Sequence, residues 1–374
     1  MATIDLQPVD PEEAIDYFRR RGFAISFDWR DVWEGEHARA FTVAKVASLD
    51  VLTDISAALS DAIRNGSTPQ QFRKELEPVL RRKGWWGKGE VVDPRTGEIT
   101  TAQLGSPARL RTIFDTNLHQ SMHAGKWDRV QRIKKARPFL RYVTIDDSRR
   151  REQHAAWHGT VLPADHPWWD THYPMNGWGC RCYVQQLSQA DLDRRGLKVS
   201  ADPKVKTRKV RNRNTGKVIE TPVGIDPGFG YNVGKAGQAA IGDLMVEKLD
   251  RAPADVAGPM VDQLTASDHF ERFHAGKIQG THAVAVAPER LMRSMKAAVQ
   301  TVTVSADTIA SLRAGKSLAD PDAWRLVNRA IADGQVAGAG RRRKVRLEAE
   351  GRTVDVDIER DRDGRLVVQR VTSG

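Results

Sequence analysis

Cys180 and Cys182 are the only thiols among 374 residues, two apart behind a Gly-Trp-Gly turn in HYPMNGWGCRC. On an extended segment that spacing points both sulfurs to one face. The loop they would close is too small for relaxed disulfide geometry, and two cysteines in so long a chain exclude a disulfide-stapled secreted scaffold. A reduced compartment follows. Upstream, EQHAAWHG sets His154 and His158 four residues apart in a helix-like segment closed by Gly159, so both imidazoles would share one helix face. His154, His158, Cys180 and Cys182 then make a four-ligand set for a structural zinc ion, with His166 and His172 as substitutes. The plainer reading stays open beside it: small buried thiols at a tight corner, with histidines that hydrogen-bond locally.

Other chemistries fit less well. A zincin needs Glu after its first histidine as general base, and HAAWH has Ala155 there. A cysteine nucleophile needs an imidazole neighbour and an oxyanion hole, which spacing does not supply. Trp157, Trp168, Trp169, Tyr173 and Trp178 crowd the same stretch; in an irregular segment they read as core rather than as stacking platforms for bases. Asp146, Asp147, Arg149, Arg150 and Arg151 read as cap and ion-pair residues between a strand and a helix.

These residues need elements to hold them. Residues 10–138 carry helical patterning: PEEAIDYFRRR opens with proline and acids, and FTVAKVASLDVLTDISAALSDAIRNG keeps three-and-four apolar spacing up to Asn65-Gly66. STPQQFRKELEPVLRRKG starts afresh, with Ser67 or Thr68 as cap and Pro69 at the first position. GWWGKGEVVDPRTGEITTAQLGSP reads as a hairpin-like excursion, RLRTIFDTNLHQSMHAGKW as part of a long helix ended near Pro138, and FLRYVTI as a short strand. Residues 139–190 form an irregular Trp/His/Cys knot. Residues 191–250 hold a basic ribbon around RNTGK and an extended arm, 251–261 read as a linker, and 262–374 as a small domain ending in an antiparallel meander. The fold class is α+β, a mainly helical N-terminal region joined through the knot to a C-terminal α+β domain.

The 59 Lys and Arg against 48 Asp and Glu give a net charge of +11, which favours polyanionic surroundings. No apolar run approaches the ~18 residues of a spanning helix.

The stretch IDDSRRREQHAAWHGTVLPADHPWWDTHYPMNGWGCRCYVQQLS resembles the signature of the phage Mu gpF-like minor head proteins, a branch of the phage head morphogenesis family. The matching positions are Asp146, Arg149, His154, Gly159, Pro174, Asn176, Gly177, Trp178, Cys180, Arg181 and Cys182, and the likeness reaches FTVAKVASLDVLTDI, GWWG and GIDPGFGYNVG, roughly residues 10–245. Met175 departs from it where a second proline is common. The resemblance implies a minor head protein acting in procapsid assembly with portal, scaffold and major capsid proteins. It would be made in the host cytoplasm, reside in the virion beside packaged DNA, have no membrane contact, and carry no established catalytic residues. Residues 262–374 resemble the barnase/EndoU/RelE-like nuclease-type domains fused to such proteins. That implies, as the alternative function, a head-carried RNA-cleaving effector that works without metal. His274, His282, Lys316, Arg341, Arg343 and Ser373 are its candidate residues, none of them in a matching motif. A degenerate or purely binding domain is the competing reading.

Overall fold

LDVLTDISAALSDAIRN folds as the helix Leu49–Asn65 because Val51, Leu52, Ile55, Leu59 and Ile63 recur on one buried face, and Gly66 ends it in the left-handed conformation (φ 64°). Thr68, rather than Ser67, caps the next helix, Pro69–Arg82: its hydroxyl accepts from the Gln71 amide at 3.2 Å, and the Gln71 side chain accepts from the Thr68 amide at 2.8 Å. With Glu12–Arg20 and the long helix Pro107–Ile133, these helices enclose Phe18, Phe41, Leu52, Phe72, Leu76, Leu80, Leu110 and Phe114.

The structure is a computed structural model. It describes residues 12–28, 30–32, 34–46, 48–93, 96–212, 216, 218–349 and 351–374. The class is α+β, and the chain divides into two compact units, Met1–Gly237 and Gln238–Gly374. In the first, the expected hairpin pairs Lys88–Val92 with Ile99–Gln103, and the ribbon pairs Thr207–Arg211 with Val218–Pro222. The turn residues 94, 95, 213–215 and 217, and Pro11 at the expected start of the first helix, lie outside the described residues. The knot is framed by a three-stranded antiparallel sheet, with Phe139–Val143 central between Val161–Pro163 and Tyr183–Leu187. Val161, Leu187 and Leu192 form one apolar cluster there, and Leu140, Tyr142, Trp168, Trp169 and Tyr173 are buried beside the sheet.

The second unit is built on a six-stranded sheet. Its order is Thr281–Val286, Thr301–Ser305, Leu366–Ser373, Arg352–Arg360, Arg342–Ala349, Gln335–Ala337. The last four strands run antiparallel, as the alternating sequence predicts; Thr301–Ser305 pairs parallel with Leu366–Ser373. Val345, Leu347, Val354, Val356, Ile358, Val368 and Val371 pack with Trp324, Val327 and Ile331 from the helices.

Two boundaries differ from expectation. Residues 251–261 are not a linker: Ala254–Thr265 is a helix, whose Ala257, Val261 and Thr265, four apart, are buried. The units divide at 237/238 rather than near 250, inside the helix Val233–Arg251, because Val246 and Leu249 pack with Ala257, Val261 and Ala283.

Candidate functional site

The central strand Phe139–Val143 leads through a loop to the short helix Glu152–Trp157, and the chain returns through the tryptophans to Cys180 and Cys182, just ahead of the strand Tyr183–Leu187. His154 Nδ1 lies 3.4 Å from Cys182 Sγ and 3.7 Å from Cys180 Sγ. All three residues are buried, and their ligating atoms fall within 4.8 Å of one another. Among the described residues this is the one His, Cys, Asp and Glu group with metal-holding geometry.

His158 does not join it. The helix ends at Trp157, and His158 leaves helical geometry (φ −59°, ψ 131°), so the four-residue spacing no longer places both rings on one face. The exposed His158 instead accepts a hydrogen bond from the Thr144 amide through Nδ1 (3.2 Å). The substitutes are occupied elsewhere as well. His166 Nδ1 accepts from the Trp168 amide at 3.2 Å, and His172 meets Thr171 Oγ1 at 2.8 Å and stacks on Trp168 at 4.4 Å. Burial lowers the His172 pKa to about 4.

The cluster is set by residues far along the chain. His154 Nε2 lies 3.0 Å from the Gly224 carbonyl. With Nε2–H donating there, Nδ1 is left as a bare acceptor facing the sulfurs. Gly224 has φ +99°, and a Cβ there would stand 2.7 Å from Gln153 Cβ and 2.9 Å from the Trp157 ring, so glycine is required for this approach. A hydrogen bond from the Cys180 thiol, with the Thr144 hydroxyl adding to it, lowers the Cys182 pKa to about 4, and the same contact with burial raises Cys180. One sulfur of the pair is therefore the better anion and ligand.

Around this centre the motif residues tie off backbone groups. Asn176, fully buried, accepts from Tyr142 OH at 2.9 Å and donates to the carbonyls of Thr171 (3.3 Å) and Tyr173 (3.4 Å). Arg151 pairs with Asp226 at 2.9 Å and donates to the Trp178 carbonyl, while the Trp178 amide donates to Asp226 at 2.9 Å. Gly177 sits where a Cβ would fall 2.4 Å from both Arg151 and Asp226, which explains the glycine. Pro174 is buried beside Asn176, and Gly159 takes φ +85° where its amide donates to the Tyr142 carbonyl at 2.9 Å.

Asp146 pairs with Arg150 (2.8 Å), and Asp147 pairs with Arg181 (2.6 Å) and Arg149 (3.7 Å); the Arg181 hydrogen bond holds the Asp147 carboxyl at about 2. The expected ion pairs are present. The expected helix cap is not, because Arg151 occupies that position without a side-chain bond and Asp147 instead caps the loop at the Arg149 amide. Trp168, Trp169 and Tyr173 are core, as expected, whereas Trp178 is 41% exposed and meets Phe229 edge-on. Gly224, Asp226 and Thr144 were not singled out by sequence reasoning. The glycine-rich GIDPGFG was the signal available for the first two.

Among the C-terminal candidates, His274 and His282 both lie beside the Phe270 ring, while strand register separates Arg343 from Ser373. His282 is buried against Phe270 and Phe273, with burial lowering its pKa to about 4, and His274 Nε2–H donates to the Ala319 carbonyl at 2.9 Å. Lys316 is exposed. Ser373 pairs with Val354 and Arg343 with Ile358, so they are separated by about 13 Å of strand, and Arg341 lies beyond Arg343 near Arg360.

Among the described residues no helix is long and apolar enough to cross a membrane. The family model described as Phage Mu protein F like protein matches residues 53–185, which include the whole cluster. A protein of Escherichia phage Mu named for capsid assembly, protein F, is 38% identical over 251 residues, 63% of this chain and 57% of that protein. The Mu-like prophage FluMu F protein of Haemophilus influenzae is 40% identical over 226 residues, 57% of this chain and 53% of that protein. The chain thus spans a little over half the length of these relatives. No solved structure matches it.

Proposed function

Because the model described as Phage Mu protein F like protein matches residues 53–185, we propose that this protein is a minor head component that acts in assembling the capsid of a Mu-like phage or prophage. The observation that carries the reading is the match itself, which spans the knot and its supporting helices and joins the chain to a relative named for capsid assembly. The site's character agrees. Its polar side chains are spent on one another and on backbone groups, as in a structural node, and its thiols and imidazole are buried rather than presented to a substrate. Portal, scaffold and major capsid proteins are the partners this role requires. The net charge of +11 suits a shell filled with DNA, where cations offset phosphate repulsion.

The test is assembly with and without the gene. Deleting it from the producing phage or prophage should lower the yield of DNA-filled heads at least tenfold by electron microscopy and plaque count, with restoration by the full chain in trans. Mass spectrometry should find the protein in purified heads or procapsids. Normal heads from the deletion, with the protein absent from wild-type particles, would overturn the proposal. The RNA-cleaving alternative gains no support from the placement of its candidate residues.

A further inference from the structure

We propose that His154, Cys180 and Cys182 hold a zinc ion through Nδ1 and the two sulfurs, a site that pins the short helix to the Gly-Trp-Gly turn. Hydrogen bonding satisfies only part of the arrangement: a relay from the Cys180 thiol to Cys182 and from Cys182 to Nδ1 leaves the 3.7 Å approach of Cys180 to Nδ1 without a proton. With Nε2–H committed to the Gly224 carbonyl, Nδ1 has a single lone pair in the ring plane and can accept from one thiol, yet two sulfurs approach it, at 3.4 and 3.7 Å. A metal at the centre accounts for both. With Zn–S near 2.3 Å and Zn–N near 2.0–2.1 Å, tetrahedral angles set each sulfur about 3.6 Å from the nitrogen, midway between the two observed separations.

The surroundings are those of a ligand sphere. A metal-bound imidazole characteristically donates its second N–H to a carbonyl or carboxylate, which fixes tautomer and ring plane; the Gly224 carbonyl does that here. Thr144 supplies a hydroxyl to Cys182, as outer partners do for thiolates. Two thiolates and one imidazole select zinc over magnesium or calcium, which take oxygen donors. Cys182 also borders a cavity of about 550 Å³ together with His123, Lys126 and Tyr183, and a water from it completes the tetrahedron. The ligands lie 26 and 28 residues apart across an irregular segment, so binding the ion contributes directly to folding there.

The experiment uses the reduced full-length protein. Elemental analysis after expression with zinc should give about one ion per chain, and X-ray absorption should give two sulfur and two nitrogen or oxygen neighbours. Replacement by cobalt should produce a sulfur-to-cobalt charge-transfer band. Cys180→Ser and Cys182→Ser should each lower metal content at least fivefold, and His158→Ala should leave it unchanged. A wild-type protein that takes up cobalt without that band, or that holds less than about one zinc per five chains, overturns the site without recourse to a variant. So does equal metal content in the Cys180→Ser/Cys182→Ser protein.

Discussion

In the C-terminal sheet, the strand Arg342–Ala349 buries Val345 and Leu347 and exposes Arg346 and Glu348, and its backbone groups are satisfied by ladders on both sides. The knot between residues 144 and 182 has only the three-residue strand Val161–Pro163 in a ladder. Several of its carbonyls and amides are satisfied one at a time by Asn176, Arg151 and Asp226, and Tyr173 and His154 tie it to the carbonyls of His123 and Gly224. A ladder spreads stability over many equivalent bonds, so exposed positions tolerate change. A node concentrates it in side chains that each hold a particular partner, so replacing any one of them strands that partner.

The largest test of this contrast is a pair of truncations. Trp169→Ala in the knot and Trp324→Ala in the sheet unit each remove a fully buried indole and should cost about 3–5 kcal/mol. Hydrogen exchange read by mass spectrometry should show protection lost in the unit that carries the change; equal loss throughout would mean one cooperative block and would dissolve the comparison. Phenylalanine sharpens it. Trp169 Nε1 donates to the Pro163 carbonyl at 3.0 Å, while Trp324 Nε1 has no such partner, so Trp169→Phe should cost about 1 kcal/mol more than Trp324→Phe.

Acid should act on both units next, through His37, His123 and His172 in the first and His282 in the second. Burial lowers the folded-state pKa of His282 to about 4, with neighbouring His269 adding to the effect, against about 6.5 in an unfolded chain. Between those values the unfolded state binds more protons. The stability of the C-terminal unit is therefore complete above about pH 6.5 and falls as pH drops towards 4, by up to about 3 kcal/mol. His282→Phe should flatten that slope in denaturant titrations at pH 7, 5.5 and 4.5; an unchanged slope would remove His282 as its cause.

The smallest effect compares two buried amides. Asn176→Ala leaves Tyr142 OH and two carbonyls without their partner, and should cost about 3 kcal/mol. Asn328, which accepts from the Val286 amide and donates to Gly258 and Asp262, belongs to the ladder-supported unit, and Asn328→Ala should cost about 1–2 kcal/mol. Equal losses in urea midpoints would show that the knot is no more dependent on single bonds than the sheet.

Much of the architecture was legible because it is local. Period-three-and-four and period-two patterning, Thr68 with Gln71, and the glycine stop at Gly66 each act within a few residues. The site was half legible. Cys180, Cys182 and His154 stood out by type, but His158 was misplaced, because a four-residue spacing means a shared face only while the helix continues, and Gly159 sits where it stops. Gly224 and Asp226 were missed for the opposite reason: they act 70 and 75 residues from His154 and Arg151, and no spacing rule reaches that far. The helix Ala254–Thr265 was hidden by Pro253 and Pro259, which suggest a linker until burial of Ala257 and Val261 outweighs them.

The contacts of Gly224 and Asp226 also impose a timetable. During synthesis the helix bearing His154 and the turn bearing Trp178 emerge from the ribosome well before residues 224–226, so for dozens of residues of elongation the imidazole and the Trp178 amide wait for their partners. The helices Leu49–Asn65 and Pro69–Arg82, adjacent in sequence, can settle in that interval, but the knot closes only once the arm arrives. A piece cut at residue 185, where the family match ends, would carry His154, Cys180 and Cys182 and still lack the carbonyl that orients the histidine.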